Sequence, residues 1–132
     1  MDDIKNKLIN AARAVRENAY APYSGFKVGA AILAEGGNIY AGCNVENASY
    51  GLTICAERNA IAALIAGGER RPLSIAIVAK EGVTCPPCGA CRQVLMEFNP
   101  DLEIILESGD NGYEFLKLSE ILPLSFSTKD IS

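Results

Sequence analysis

Residues 55–79 read CAERNAIAALIAGGERRPLSIAIVA, and the reading of this stretch decides the fold. From Cys55 to about Ile65 it predicts a helix that is apolar nearly all round, through Ala56, Ala60, Ile61, Ala63, Leu64 and Ile65. A helix of that kind has to be covered on most sides, by its own chain or by another subunit. Gly67-Gly68 is its stop signal, because glycine enters the left-handed conformation at a helix end without steric cost. Leu73 to Ala79, apolar at every position but Ser74, then reads as one continuous run, the pattern of a strand covered on both faces.

The same alternation extends in both directions. Upstream, Ile4, Leu8, Ala11, Ala12, Val15 and Ala19 recur at helical spacing and predict an amphipathic first helix that ends before Pro22, with Ser24-Gly25 turning the chain. Lys27 to Ala34 and Asn38 to Val45 read as a hairpin across Glu35-Gly36-Gly37. Downstream, Pro86-Pro87 starts a third helix from Cys88 to Phe98, and Leu102 to Leu106 is a second buried strand. Asp110-Asn111-Gly112 turns into a last strand around Tyr113 to Leu116, with Ser119 as a cap for a closing helical turn. The order α-β-β-α-β-α-β-β specifies an α/β three-layer sandwich, a five-stranded mixed sheet with helices on both faces. Crossovers of one hand bring the starts of the second and third helices to the same sheet edge, where open sheets bind ligands.

Composition narrows the function. The 132 residues carry a net charge of −4, which disfavours a nucleic-acid groove and favours a small neutral ligand. No repeat or linker divides the chain, so residues 1–132 read as one domain. There is no apolar run of the ~18–20 residues a membrane span needs. The acidic start, Met1-Asp2-Asp3, lacks the apolar core of a secretory signal, so the expected location is cytoplasmic. Five cysteines, an odd number, suit thiols or metal ligands better than a disulfide framework. The chain has no histidine. Serine-histidine and cysteine-histidine catalysis are thereby excluded, and any zinc site must be built largely from thiolates.

Two short motifs supply those thiolates. Cys55-Ala56-Glu57 opens the second helix, and Pro87-Cys88-Gly89-Ala90-Cys91 opens the third. Cys88 and Cys91 stand one helical turn apart, on one face. With Cys55 they make three ligands and leave the fourth tetrahedral position for water, the pattern of a catalytic zinc. Helix amino termini favour thiolate charge. Glu57, two residues from a ligand, is placed to move protons without binding the metal.

With Pro87-Cys88-Gly89-Ala90-Cys91-Arg92-Gln93, the Cys55-Ala56-Glu57 motif resembles the signature of the zinc nucleoside deaminases, specifically the small homotetrameric cytidine deaminases. The likeness extends over Tyr23 to Ala31, over Gly42 to Tyr50, and to a tail with Leu122-Pro123 and Phe126. It implies hydrolytic deamination of cytidine and deoxycytidine to uridine and deoxyuridine with release of ammonia, in pyrimidine salvage. One zinc per chain would supply the attacking hydroxide, and Glu57 would shuttle protons to the ring nitrogen and the departing ammonia. By the same resemblance Asn44 and Glu46 hold the ribose 3′-hydroxyl, Phe26 packs on the pyrimidine, and the backbone of Ala56 reads the base. Tyr50 and Phe126 would reach into a neighbouring subunit's site in a homotetramer, while Arg58 and Arg92 offset thiolate charge.

Three other readings compete. Cys85, three residues before Cys88, could close a four-cysteine structural zinc site in a binding module, although Pro86-Pro87 holds it extended and away from the helical face of Cys88 and Cys91. A deaminase of a cytosine-containing nucleoside antibiotic would share the metal motifs, and the Asn44-Val45-Glu46-Asn47 run favours cytidine over it. A polynucleotide-editing deaminase fits the acidity poorly. Cys43 reads as a buried apolar residue.

Overall fold

The computed structural model describes residues 2–80, 83–108 and 112–125. The elements follow in the order α1 (Asp3–Arg16), β1 (Gly29–Ala34), β2 (Ile39–Cys43), a 3-10 turn (Tyr50–Leu52), α2 (Ala56–Ala66), β3 (Pro72–Val78), α3 (Gly89–Phe98), β4 (Glu103–Glu107), β5 (Tyr113–Lys117) and α4 (Leu118–Ile121). The strands form one sheet in the order β2-β1-β3-β4-β5. β3 and β4 pair in parallel, joined by the crossover through α3, and every other neighbouring pair is antiparallel. The expected five-stranded mixed sheet is therefore present.

Side chains on successive strand residues point to opposite faces, and both faces here are apolar. On one, Leu8, Ile9 and Ala12 of α1 pack against Ala31, Ala76, Val78 and Ile105. On the other, Ala56, Ala60, Ile61 and Leu64 of α2 and Leu95 of α3 pack against Ala30, Ile32, Ile75, Ile77, Ile104 and Leu106. The central strands are mostly apolar, with Ser74 the buried polar exception in β3, because each alternate residue serves a different helix layer.

Glycine sets how closely the helices sit. A side-chain carbon on Gly42 would collide with Ala60 N and Ala56 O, so α2 rests on bare β2 backbone. On the opposite face, a carbon on Gly29 would collide with Ala12 O of α1. Turns fall where the sequence places them: Gly25, Gly37 and Gly68 all have positive φ, at 69°, 94° and 92°.

Four expectations change. α1 stops at Arg16, before Ala19, and begins under the Asp2 side chain, which accepts the Lys5 N–H at 2.9 Å. β1 begins at Gly29, because Val28 gives its N–H to the Asn44 side chain at 2.9 Å. Ser119 lies inside α4 and does not cap it; Lys117 occupies the cap position without a side-chain bond. α2 is covered along Ala56, Ala60, Ile61 and Leu64, while Ala62 and Ala66 face outward. Of the predicted Asp110-Asn111-Gly112 turn, the first two residues lie outside the described residues.

Candidate active site

Cys55 and Cys88 occupy equivalent positions, each the N-cap of a helix with extended backbone. α2 and α3 pack on the same sheet face, so their first turns meet at one end of the sheet. The Sγ atoms of Cys55, Cys88 and Cys91 all lie within 4.8 Å of one another, and those of Cys88 and Cys91 are 3.4 Å apart. Cys91 also gives its N–H to Cys88 Sγ at 3.5 Å. Among the described residues this is the one such group able to hold a metal. Cys85 is not part of it, so the closed four-cysteine reading is not supported.

Two further observations suit a thiolate-bound cation. Arg58 Nη2 donates to Thr53 O at 3.2 Å and lies 3.7 Å from Cys55 Sγ. Among the described residues, the buried Arg58 Nε finds no hydrogen-bond partner. Its bond with Cys55 raises the Arg58 pKa, and charge on Cys55 and Cys91 adds to the rise. Three soft donors, two helix amino termini and an arginine at the sulfur edge form a donor set that fits zinc with one position open.

Beside this group lies a cavity of about 180 Å³, lined by Val28, Asn44, Thr53, Cys55, Ala56, Glu57, Cys85, Pro86 and Cys88. Glu57 is only 5% exposed. Burial pushes its carboxyl above the ordinary carboxylate value, against its own backbone N–H, the Cys91 thiol and the Arg58 charge. Burial drives the Cys91 thiol up as well. At Cys88 burial also acts upward, but N–H and S–H donors from Cys91, Cys55 and Ala90 outweigh it, and the net shift is downward. Cys85 forms the far wall, and burial first, then the charges of Glu57 and the other thiols, push it up to about 11. It packs at the margin of the core below the sheet and acts there as an apolar wall residue.

The remaining expected residues divide. Asn44 lines the cavity and is nearly buried. Its Oδ1 accepts the Val28 N–H at 2.9 Å and its Nδ2 donates to Phe26 O at 2.8 Å. An amide can make about four hydrogen bonds, so both ends keep capacity for a ligand. Phe26 and Glu46 stand on adjoining loops outside the cavity lining, with the Phe26 ring partly exposed. Tyr50 lies on the 3-10 turn, 77% exposed, its ring edge-on to Tyr23 with centroids 6.1 Å apart. Arg92 has main-chain partners. It donates to Pro87 O at 2.8 Å and Ile121 O at 2.9 Å, because α4 folds over its guanidinium, and among the described residues these bonds go to carbonyls and not to a ligand sulfur. Phe126 lies outside the described residues. Sequence reasoning missed Thr53, whose carbonyl holds Arg58, and Ser24, which it read only as a turn residue.

The profile of the family described as "Cytidine and deoxycytidylate deaminase zinc-binding region" matches residues 2–106. A cytidine deaminase of Halalkalibacterium halodurans is 44% identical over 97% of this chain and 98% of its own length. One from Mycobacterium tuberculosis is 42% identical over 96% of this chain and 92% of its own. The crystal structure of a cytidine deaminase from Burkholderia pseudomallei superposes with a TM-score of 0.87 at 46% identity, covering 96% of this chain and all of that one.

Proposed function

This chain belongs to the cytidine deaminase family, and on that premise we propose that the cavity over Cys55, Cys88 and Cys91 is its active site. The enzyme is a zinc-dependent hydrolase that deaminates cytidine. The observation that carries the site is a group of three thiols, two of which, Cys55 and Cys88, line one cavity together with the buried carboxylate of Glu57.

Cys55, Cys88 and Cys91 would hold the zinc, which when bound would supply the Lewis acidity that makes water a nucleophile towards the ring carbon bearing the amine. Glu57 takes one proton as water adds and passes it to the ring nitrogen, then takes the second from the added hydroxyl and gives it to the amino group, which leaves as ammonia; this is the general course of zinc deaminases. Water is consumed, ammonia leaves, and the base becomes uracil. The buried setting of Glu57 keeps its neutral form within reach, as a carboxyl that both accepts and donates requires. Ala56 offers its backbone to the base, and Phe26 its ring. Asn44 and Glu46 take the ribose 3′-hydroxyl, with deoxycytidine accepted as well because that hydroxyl is common to both sugars. Arg58 draws charge from Cys55, while Arg92 acts one step removed, by fixing the Pro87 carbonyl that precedes a ligand.

Assembly as a homotetramer is supported by an apolar surface beside the cavity, where Tyr20, Tyr23, Val45, Tyr50, Leu52 and Ile54 are all exposed in the single chain. Tyr50 reaches the neighbouring site in that assembly, as does Phe126. Residues 1–132 act as one catalytic unit, and five free thiols suit a reducing, cytoplasmic setting. The test is a continuous ultraviolet assay with cytidine beside zinc quantitation. Turnover with one zinc per chain supports the reading, and a zinc-loaded protein that leaves cytidine intact overturns it.

A further inference from the structure

The carboxylate of Glu46 is held before any substrate arrives. Oε1 accepts the Tyr23 N–H at 2.9 Å and the Ser24 N–H at 3.1 Å. Oε2 accepts the Ser24 hydroxyl in a short bond. The same hydroxyl oxygen accepts the Phe26 N–H at 3.0 Å. Ser24 therefore uses its one donor on Glu46 and an acceptor site on Phe26 backbone. The two loops are also joined through their main chains, since Tyr20 N–H donates to Asn44 O and Glu46 N–H to Tyr20 O. Neither the anchoring of the loops nor the two main-chain bonds to Oε1 depend on the Ser24 side chain, but the hold on Oε2 does.

We infer that Ser24 is a positioning residue for the sugar, which fixes the Glu46 carboxylate so that its remaining lone pair, on Oε2, meets the ribose 3′-hydroxyl. The inference rests on the proposed ribose contact of Glu46. A carboxylate in free rotation would have to lose that freedom on each binding event, whereas one already clamped by three donors is organised in advance. The clamp also keeps the group ionised, since the Ser24 hydroxyl leads the interactions that lower the Glu46 pKa. Ser24 thus links the residue that receives the sugar with the segment bearing the ring that receives the base.

The experiment measures kcat and KM for cytidine and for 3′-deoxycytidine with the zinc-loaded wild type, Ser24→Ala, Ser24→Thr, Glu46→Gln and the Ser24→Ala/Glu46→Gln double variant. Ser24→Ala should raise KM for cytidine by roughly tenfold, the scale of one charge-assisted hydrogen bond, with kcat within about twofold. The rise should shrink on 3′-deoxycytidine and in the Glu46→Gln background, and Ser24→Thr should restore it. An unchanged KM in Ser24→Ala, equal rises on both substrates, or a rise that persists at full size in the Glu46→Gln background overturns the role of Ser24. If instead the wild type itself binds 3′-deoxycytidine as well as cytidine, the ribose contact of Glu46 fails and the inference falls with it. Thermal unfolding of each variant separates loss of fold from loss of positioning.

Discussion

Arg58 Nη2 stands 3.7 Å from Cys55 Sγ, while the same nitrogen is steadied by Thr53 O at 3.2 Å. One arginine therefore touches a ligand sulfur and the chain just before it. Three thiolates on one divalent ion leave an excess negative charge, which opposes the electron withdrawal that activates water. Arg58→Gln, a neutral donor, should keep zinc and lose roughly tenfold or more in kcat, the worth of a charged hydrogen bond. Arg58→Asp should lose more and release zinc faster to a chromophoric chelator. Equal kcat and zinc-release rates in all three proteins would contradict the account.

Glu57→Gln should fold and carry zinc, because the carboxylate is not among the three ligand positions. Its kcat should fall by ~10²–10⁴-fold, the usual reach of general acid–base catalysis. Steady-state rates beside zinc analysis check this. Near-normal turnover at full occupancy would remove Glu57 from the proton path.

Zinc stoichiometry separates the cysteines. Cys55→Ala, Cys88→Ala and Cys91→Ala should each lose metal and stability together, since binding and folding are coupled. Cys85→Ser should retain one zinc per chain and activity, because Cys85 lies outside the thiol group and serves as wall. A Cys85→Ser protein without zinc would restore the closed four-cysteine site.

The core and the metal ligands were legible in the sequence because each rests on a pattern local to one element. Leu73 to Ala79 declares a strand buried on both faces, and thiols at two helix starts declare their metal when no histidine is present. Contacts made by polar side chains across the fold were not legible. Nothing near Arg92 in the sequence says that α4 will lay Ile121 O over it. Ser24 reads as a turn residue until the loop carrying Glu46 is seen beside it. Val28 leaves the strand because Asn44, sixteen positions on, takes its N–H.

Glu69 gives a pH dependence of known sign. Its carboxylate accepts Gly36 N–H at 2.8 Å, Tyr40 Oη–H at 3.1 Å and Asn38 Nδ2–H at 3.2 Å, pinning the β1–β2 hairpin to the end of α2. The Gly36 N–H leads the interactions that hold its pKa below the ordinary 4.5. Stability from this group is thus fully present above the unfolded value and is lost as pH falls through the lower, folded one. The gap in Tm between wild type and Glu69→Gln should be steady above about pH 5 and close below it. A gap that widens in acid would refute the assignment.

Because the ligands come from the starts of two separate helices, the metal is also a cross-link. It closes a loop of chain that contains all of α2 and β3, and closing such a loop removes conformational freedom chiefly from the unfolded chain. The two helix layers do not share this support. α1 is held by Leu8, Ile9 and Ala12 on the opposite sheet face, remote from the sulfurs, whereas α2 and α3 form the layer that the metal joins. Chelation should therefore loosen the molecule unevenly. Amide exchange should rise first in α2 and α3 while α1 and the central strands stay protected, so the apoprotein frays from its catalytic side.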